Sequence, residues 1–296
     1  MQLNGIFSIN KPAGMTSHDV VARVRKLLKQ KRVGHAGTLD PLASGVLPIC
    51  VGQATRVAEF LSESGKAYQA EVVFGTATDT YDAEGTVTAT ASTSEITFHM
   101  IEEAIEHFRG PLMQYPPRYS AIKIQGQPAY KRARAGETIE LEPRSVVIYT
   151  LEILEWIPPR LTLNIECSKG TYMRSLAHDL GIQVGCYAYL ASLVRTRSGP
   201  FTLPESISLE EFAEAVKTES IERYAFPIDK AIEQYPIIEL DAETVEHVKH
   251  GNAFSHIQAK NSSLARVYDD NRTFIAIAEW DEEHKAWQPR KVFASD

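Results

Sequence analysis

The run from residue 34 to residue 48, GHAGTLDPLASGVLP, holds three glycines and two prolines around a single carboxylate, Asp40. Glycine permits backbone conformations that are closed to other residues, and Pro41 biases Asp40 away from the helical region. The run therefore predicts a shaped, partly buried loop. A carboxylate held in such a loop must be paired, solvated or used in chemistry. An Asx-turn, in which Asp40 only accepts hydrogen bonds from nearby amides, is the alternative that the motif leaves open.

Length and composition narrow the class of protein. A chain of 296 residues suggests two domains with ample core. It has no apolar run of about eighteen residues, and its N-terminal segment lacks the pattern of a secretory signal. The three cysteines share no metal-ligand spacing and are read as free thiols in a reducing compartment. These features predict a cytoplasmic protein that holds no metal and does not span a membrane.

Charge is distributed unevenly along the chain. The net charge of −7 divides into −9 from residue 201 onward and +2 for residues 1–200. Two stretches, 23–32 and 118–134, are basic without an acidic residue, and Tyr119 and Tyr130 interleave the second. Each stretch alone is compatible with a solvated face. Together, with the first leading directly into the Asp40 loop, they predict a polyanion that lies over Asp40.

The order of elements predicts a mixed α and β catalytic part. Apolar patterns predict strands at 5–9, 68–74, 146–154, 161–167 and 188–194. Helical patterns predict a helix with Ser17 as its N-cap and further helices at 53–61, 95–108, 169–180 and 209–217. Gly181 is predicted to end the helix at 169–180. Residues 114–143 are basic, rich in proline and glycine and weakly periodic. They predict a protruding arm, since long irregular segments inside compact domains are usually functional.

A boundary is predicted near Pro236. The remaining residues contain a helical pattern at 242–249 and short strand patterns at 266–268, 274–278 and 291–293. A segment of this length and pattern predicts a small, mainly β module.

Several segments together resemble one family, the bacterial tRNA pseudouridine-55 synthases, or TruB family. Four motifs carry the resemblance: GHAGTLDPLASGVLP at 34–48, KAYQA at 66–70 with TDTYDAEG at 78–85, KGTYMRSL at 169–176, and LVRTRSGPF at 193–201. NKP at 10–12 and PPRYSAIK at 116–123 match two further segments, so the resemblance covers roughly residues 5–201.

The resemblance implies an α+β fold. Residues 1–235 would form a catalytic domain of the pseudouridine synthase type, with a mixed, mainly antiparallel sheet, flanking helices and an inserted RNA-gripping arm at about 114–143. Residues 236–296 resemble a small β-rich PUA-like RNA-binding module that reaches the acceptor end of tRNA.

The implied reaction isomerises uridine 55 in the T-loop of tRNA to pseudouridine. The bond from N1 to the ribose breaks, the uracil turns, and its C5 is joined to the same ribose carbon. No net redox change or group transfer occurs, so no cofactor is expected. The sequence accordingly lacks both a phosphate-cradling glycine loop of Walker or Rossmann spacing and a His/Cys metal set.

Three residues match catalytic positions of the family. Asp40 matches the catalytic aspartate, whose target is left open: the ribose carbon, the base or a ribose proton. Arg174 would stabilise its charge, the alternative being a surface arginine on a helix. Tyr68 would stack on the base and help remove the C5 proton, the alternative being an ordinary strand aromatic.

Six residues are implied in substrate binding. Tyr172 and Leu193 match pocket walls, and His35 would fill the space left by extruded nucleotides, unless it is an ordinary loop histidine. Lys11 is expected to meet phosphate. Lys123 and Arg134 lie in the basic stretch of the arm, which would grip the T-loop from the far side.

The expected partner is the T-arm of tRNA, bound by a monomer that needs no protein partner and no membrane. A guide-RNA-dependent synthase of the dyskerin type is the alternative within the same chemistry. A chaperone that binds the T-arm without reaction is the alternative outside it. A glycosidase that uses Asp79 and Asp82 as its carboxylate pair finds no further support in the sequence.

Overall fold

The computed structural model describes residues 3–119, 123–124, 127–128, 141–256 and 262–293. Its strands, in chain order, are β1 (Gly5–Lys11), β2 (Val33–His35), β3 (Ser44–Val51), β4 (Lys66–Phe74), β5 (Thr76–Thr78), β6 (Val87–Thr90), β7 (Gly110–Gln114), β8 (Lys123–Ile124), β9 (Gln127–Pro128), β10 (Arg144–Ile157), β11 (Arg160–Cys167), β12 (Ala188–Ser198), β13 (Phe201–Thr202), β14 (Ile237–Glu239), β15 (Leu264–Tyr268), β16 (Phe274–Asp281) and β17 (Ala286–Val292).

The α-helices in these ranges are α1 (Ser17–Leu28), α2 (Ala58–Glu63), α3 (Phe98–Glu106), α4 (Met173–Val184), α5 (Leu209–Lys217) and α6 (Ala242–Lys249). Short 3₁₀ turns are formed by Gly52–Val57, Leu203–Glu205, Ile221–Tyr224 and Ile228–Ile232. None of the helices in the described part is both long and apolar enough to cross a membrane.

The large sheet runs in the order β1-β3-β12-β4-β11-β10-β7, with β2 beside β3 and β13 beside β12. Its neighbours are antiparallel except β3 and β12, which pair in parallel at Ser44 and Gly45. This arrangement confirms the predicted α+β class with a mixed, mainly antiparallel sheet. The predicted strands are all present, and most extend beyond their predicted ends.

Both faces of the sheet are covered at β1 and β3, and these two strands bury nearly every residue. Strand β11 instead alternates between buried and partly exposed residues. Phe7 and Ile9 of β1 pack into one cluster with α1, α3, α4 and α5, while Ile6 points into a second cluster with α2. Successive residues of a strand face opposite sides, so a strand covered on both sides buries every position. The Asp40 loop lies at the start of β3.

Helix α1 begins one residue away from the predicted cap. Thr16 is the N-cap: its hydroxyl accepts from the Asp19 N–H, and the Asp19 carboxylate accepts from the Thr16 N–H at 2.9 Å. The prediction of Ser17 was wrong because its buried hydroxyl bonds Leu39 in the Asp40 loop instead. Two neighbouring hydroxyl residues offer the same capping signal in sequence.

Helix α4 does not end at Gly181. It runs from Met173 to Val184 and ends at Gly185, which has a φ of +84°. A Cβ on Gly181 would lie 2.2 Å from the Ala188 nitrogen, so this glycine lets the helix approach the start of β12. The predicted C-terminal glycine is therefore a packing glycine. The predicted helix at 53–61 also differs, since it divides into a 3₁₀ turn and α2.

Gly45 is required where β3 passes β12. Its φ is +100°, and a Cβ there would lie 2.3 Å from the backbone oxygen of Arg195. We expect Gly45→Ala to lower the free energy of unfolding by about 2 kcal/mol or more, through backbone strain and overpacking. Gly34→Ala is the matched control, since no atom lies within 4 Å of its added Cβ. Equal urea midpoints for the two variants would contradict this reading.

A separate four-stranded sheet, β14-β15-β16-β17, with α6 against it, forms the C-terminal region. Its last strand contacts the segment that includes α2. The Arg56 guanidinium donates to the Val292 carbonyl at 2.5 Å and lies 4.7 Å from the Phe293 ring centre, and Lys291 pairs with Glu59 at 2.5 Å. The small, mainly β character predicted for this region is confirmed.

Most of the predicted arm at 114–143 falls outside the described residues. Its described parts are the end of β7, an irregular stretch through Tyr119 in which Pro116 and Pro117 are buried, the short β8–β9 ladder, and residues 141–143.

Candidate active site

The Asp40 loop connects β2 to β3 and is fixed by its backbone. The Ser17 hydroxyl bonds both the N–H and the carbonyl of Leu39, at 2.9 and 3.0 Å. The Gly14 N–H donates to the Pro41 carbonyl at 2.8 Å, and the Asp40 carbonyl accepts from Ala43 at 3.1 Å. These contacts leave the Asp40 carboxylate free to point into a cleft.

Arg174 lies opposite that carboxylate, in the first turn of α4. Its Nη2 is 2.9 Å from the Asp40 Oδ2, and its Nη1 is 3.4 Å from the Asp82 Oδ2. The guanidinium also donates to the carbonyls of Thr80, at 3.3 Å, and Tyr119, at 2.9 Å. The Arg174 side chain is 6 % exposed and that of Asp40 is 43 % exposed. The structure thus brings the predicted pair together, with Arg174 held from behind and Asp40 open to a substrate.

Asp82 is a member of this cluster that the sequence did not assign to it. Its buried side chain accepts from the Thr80 hydroxyl at 2.5 Å and from the Glu84 N–H at 3.1 Å. The TDTYDAEG motif contained the signal, but its neighbour Asp79 is exposed and looks equivalent in sequence. Only the fold shows which of the two carboxylates faces Arg174.

Tyr68 projects from β4 into the cleft and is buried. Burial raises the pKa of Tyr68, and the nearby Arg195 guanidinium opposes this rise only in part. The phenol is therefore protonated at neutral pH and offers an aromatic face with a hydroxyl donor.

Arg195 stabilises the Asp40 loop from behind and was also missed as a site residue. It is buried on β12, and its guanidinium donates to the carbonyls of Val46 at 2.7 Å, Gly37 at 3.2 Å and Thr38 at 3.3 Å. A single side chain thereby fixes both ends of the loop. Its position in the LVRTRSGPF motif was visible in the sequence, but its burial was not.

Lys66 is a second buried cation behind the loop. Its ammonium donates to carbonyls at the end of α2, including Ser62 at 2.7 Å and Leu61 at 3.4 Å. Burial, with Arg195 nearby, lowers the pKa of Lys66 to about 8.

The lowered pKa of Lys66 makes the stability of the protein depend on pH. Between pH 8 and 10.5 the unfolded chain binds more protons at Lys66 than the folded one, so stability rises with pH there. We expect the free energy of unfolding of the wild type, relative to Lys66→Met, to increase by up to about 3 kcal/mol across this window. Urea titrations at several pH values measure it, and Lys169→Met, which removes an exposed lysine, should show no such trend. A pH-independent difference for Lys66→Met would contradict the prediction.

The cleft has a volume of about 400 Å³. Its lining combines the predicted catalytic residues, buried cations and apolar walls: Gly37, Thr38, Leu39, Asp40, Ser62, Lys66, Tyr68, Arg144, Ser168, Gly170, Thr171, Tyr172, Met173, Arg174, Leu193 and Arg195. Tyr172 and Leu193 thus lie in its wall, as predicted. The peptide groups of Tyr172 bond the Gln114 amide at 2.7 and 3.0 Å, which connects this wall to β7 at the base of the arm.

His35 lies at the end of β2, outside the cleft lining. Its ring packs edge-on against His18, with 5.1 Å between ring centres. Burial, with His18 and Arg195 nearby, lowers the pKa of His35 to about 4, so the ring is neutral at physiological pH. Its role beside extruded nucleotides stays a prediction.

Lys11 does not have the environment predicted for it. The residue is fully buried, and its ammonium donates to the carbonyls of Met15 at 2.6 Å, Pro12 at 2.9 Å and Pro41 at 3.4 Å. The charge faces the back of the Asp40 loop, so no observation supports the predicted phosphate contact, which stays a prediction. Lys11 instead connects β1, the start of α1 and Pro41.

The basic residues predicted to meet RNA divide into two groups. On α1 and its C-cap Lys29, Arg23 pairs with Glu210 at 3.2 Å and Arg25 donates to the Val33 carbonyl, while Lys26 and Lys29 are exposed. In the arm, Lys123 belongs to β8 but its side chain is outside what the structure describes, and Arg134 lies outside the described residues.

Three family models match consecutive parts of the chain. "TruB family pseudouridylate synthase (N terminal domain)" matches residues 25–173, and "tRNA pseudouridylate synthase B C-terminal domain" matches residues 174–233. The chain belongs to the TruB family. The third model, "Pseudouridine synthase II TruB, C-terminal", matches residues 236–290, the region of the four-stranded C-terminal sheet.

Curated relatives extend the match over nearly the whole chain. Proteins named tRNA pseudouridine synthase B from Pseudomonas putida and Dehalococcoides mccartyi are 42 % and 41 % identical to it. The alignments cover 99 % and 98 % of this chain and 97 % of each relative.

Solved structures agree in fold. A Cbf5-Nop10-Gar1 complex contains a chain with a TM-score of 0.77, at 26 % identity over 98 % of this chain and 85 % of that one. An H/ACA RNP bound to a substrate RNA containing 2'-deoxyuridine gives a TM-score of 0.75, with the same identity and coverage.

Proposed function

We propose that this chain converts uridine 55 in the T-loop of tRNA to pseudouridine, without a cofactor. That the chain is an enzyme isomerising uridine in tRNA follows from its family and from the names of its full-length relatives. The observation that carries the proposal for the site is the contact between Arg174 and Asp40, at the opening of a cleft of nucleoside size.

The reaction leaves the atom count unchanged. The N1–C1′ bond breaks, a C5–C1′ bond forms, the proton on C5 is lost, and N1 gains a proton. Asp40 would supply the charged carboxylate, acting on C1′, on the base or on a ribose proton. Arg174 would stabilise that charge, and Asp82 would hold Arg174 in place.

Tyr68, Tyr172 and Leu193 would enclose the uracil once it has left the RNA stack. Extruding a stacked base costs roughly a few kcal/mol, which contacts with the cleft must offset. The protonated Tyr68 hydroxyl supports a role in stacking and in relaying the C5 proton rather than in direct deprotonation by a phenolate.

The RNA would lie across the exposed lysines at the C-terminal end of α1, Lys26 and Lys29, and across the base of the arm.

We propose that residues 1–235 are the catalytic domain and that residues 236–296 reach the acceptor end as an RNA-binding module. If so, whole unmodified tRNA binds the full chain more tightly than an isolated T-arm stem-loop does. Filter-binding titrations at one salt concentration test this expectation. Equal affinities would contradict the assigned role of the C-terminal module.

The decisive test uses purified chain and unmodified tRNA labelled with tritium at uracil C5. We expect the purified chain to release tritium with no partner protein and no guide RNA. We also expect it to elute as a monomer in size-exclusion chromatography and to be located in the cytoplasm. Release that required a guide RNA would favour the H/ACA type of enzyme, which the solved structures of similar fold make a specific alternative. Release from a uridine other than position 55 would contradict the proposed target.

A further inference from the structure

The turn at residues 80–82 combines a strained residue with two groups that hold Arg174. Tyr81 has a φ of +64°, a left-handed conformation that a bulky residue rarely adopts. Its neighbours supply the Thr80 carbonyl and the Asp82 carboxylate to the Arg174 guanidinium. Backbone strain of this kind persists only where surrounding contacts compensate for it.

The Tyr81 side chain supplies such a contact. Its ring lies flat on the His178 ring, with 3.9 Å between ring centres and 12° between the planes. His178 follows Arg174 by four residues on α4, so the two side chains share one face of the helix. The turn is therefore attached to α4 at two places, one helical turn apart.

We propose that Tyr81 and His178 form a positioning pair that holds the 80–82 turn against α4 and so keeps Arg174 directed at Asp40. This inference rests on the proposed function, because it assigns the pair an effect on catalysis through Arg174. Neither ring lines the cleft, so the pair acts on the reacting uridine only through Arg174.

The contact is one of ring faces rather than of charge. The Nδ1 atom of His178 is buried and bonds no other described group, and burial lowers the pKa of His178 so that the ring is neutral. The backbone of the turn is also fixed by Leu190, whose N–H donates to the Tyr81 carbonyl at 3.0 Å. A flat apolar ring at position 178 should therefore preserve the contact, whereas a methyl group should not.

The test measures tritium release from tRNA by Tyr81→Ala and His178→Ala. We expect kcat to fall about tenfold with KM within about twofold, because a small displacement of Arg174 affects the transition state more than RNA binding. Tyr81→Phe and His178→Phe should restore kcat to within about twofold of the wild type. The double alanine variant should be no slower than either single variant, since both remove the same contact.

Two further measurements distinguish a failure of the positioning pair from a failure of the proposed function. Ile182→Ala changes an exposed residue of α4 and should leave kcat unchanged. In NMR spectra, the His178 ring protons should carry a ring-current shift in the wild type and Tyr81→Phe that is absent in Tyr81→Ala. If the wild type releases no tritium, the proposed function fails. If it does, full kcat in folded alanine variants, a change in KM alone, or no rescue by phenylalanine overturns the positioning pair.

Discussion

Asp40→Asn is expected to lower kcat for tritium release by about 10⁴-fold or more, while tRNA affinity and stability change little. The amide has the shape of the carboxylate but lacks the negative charge that the reaction needs. Because the Asp40 side chain is 43 % exposed, we expect its replacement to cost little stability. Arg174 also keeps Asp82 as a partner when the Asp40 charge is removed.

The comparison requires a matched aspartate. Asp79→Asn makes the same chemical change at an exposed residue of the neighbouring motif, whose carboxylate accepts a bond from the Thr86 N–H outside the cleft. Single-turnover tritium release should be lost in Asp40→Asn and preserved in Asp79→Asn. Similar rates for both variants would show that the reaction centre lies elsewhere.

Arg174→Met is expected to reduce both stability and activity. Removing the guanidinium leaves the Asp82 carboxylate buried beside Thr80 without its countercharge. Loss of one member of a buried ion pair typically costs about 3 to 5 kcal/mol in free energy of unfolding. The Asp40 charge also loses its partner, so we expect kcat to fall by about 10²- to 10³-fold. Urea denaturation and tritium release measure the two effects separately.

A double variant distinguishes the two contributions. Asp82→Asn combined with Arg174→Met removes the uncompensated charge, so part of the lost stability should return while activity does not. Arg197→Met is the matched control, because its pair with Glu166 is partly exposed and should contribute about 1 kcal/mol or less. Stability of Arg174→Met equal to that of Arg197→Met would contradict the structural role assigned to Arg174.

The sequence predicted most elements because their patterns are local. Alternating and helical apolar periodicities located β1, β4, β10, β11 and β12 of the main sheet and the helices α5 and α6, since each pattern reflects which side of its own element is covered. They did not locate β2, β3, β7 or β13 of the same sheet. The errors fall where a local signal has two readings. Gly181 could end a helix or permit close packing, and Ser17 could cap α1 or bond the Asp40 loop. In both cases the neighbour that decides is distant in sequence.

In the candidate site as well, some features follow from local sequence and others only from the tertiary structure. The motif around Asp40 determined by itself that a carboxylate lies on a shaped loop, because glycine and proline restrict backbone conformation through local sterics. Tertiary structure alone decided what surrounds it: Asp82 behind Arg174, Arg195 bonded to the loop carbonyls, and Lys11 turned away from solvent. Burial and charge pairing depend on segments brought together from across the chain, and no local pattern encodes which charges become neighbours.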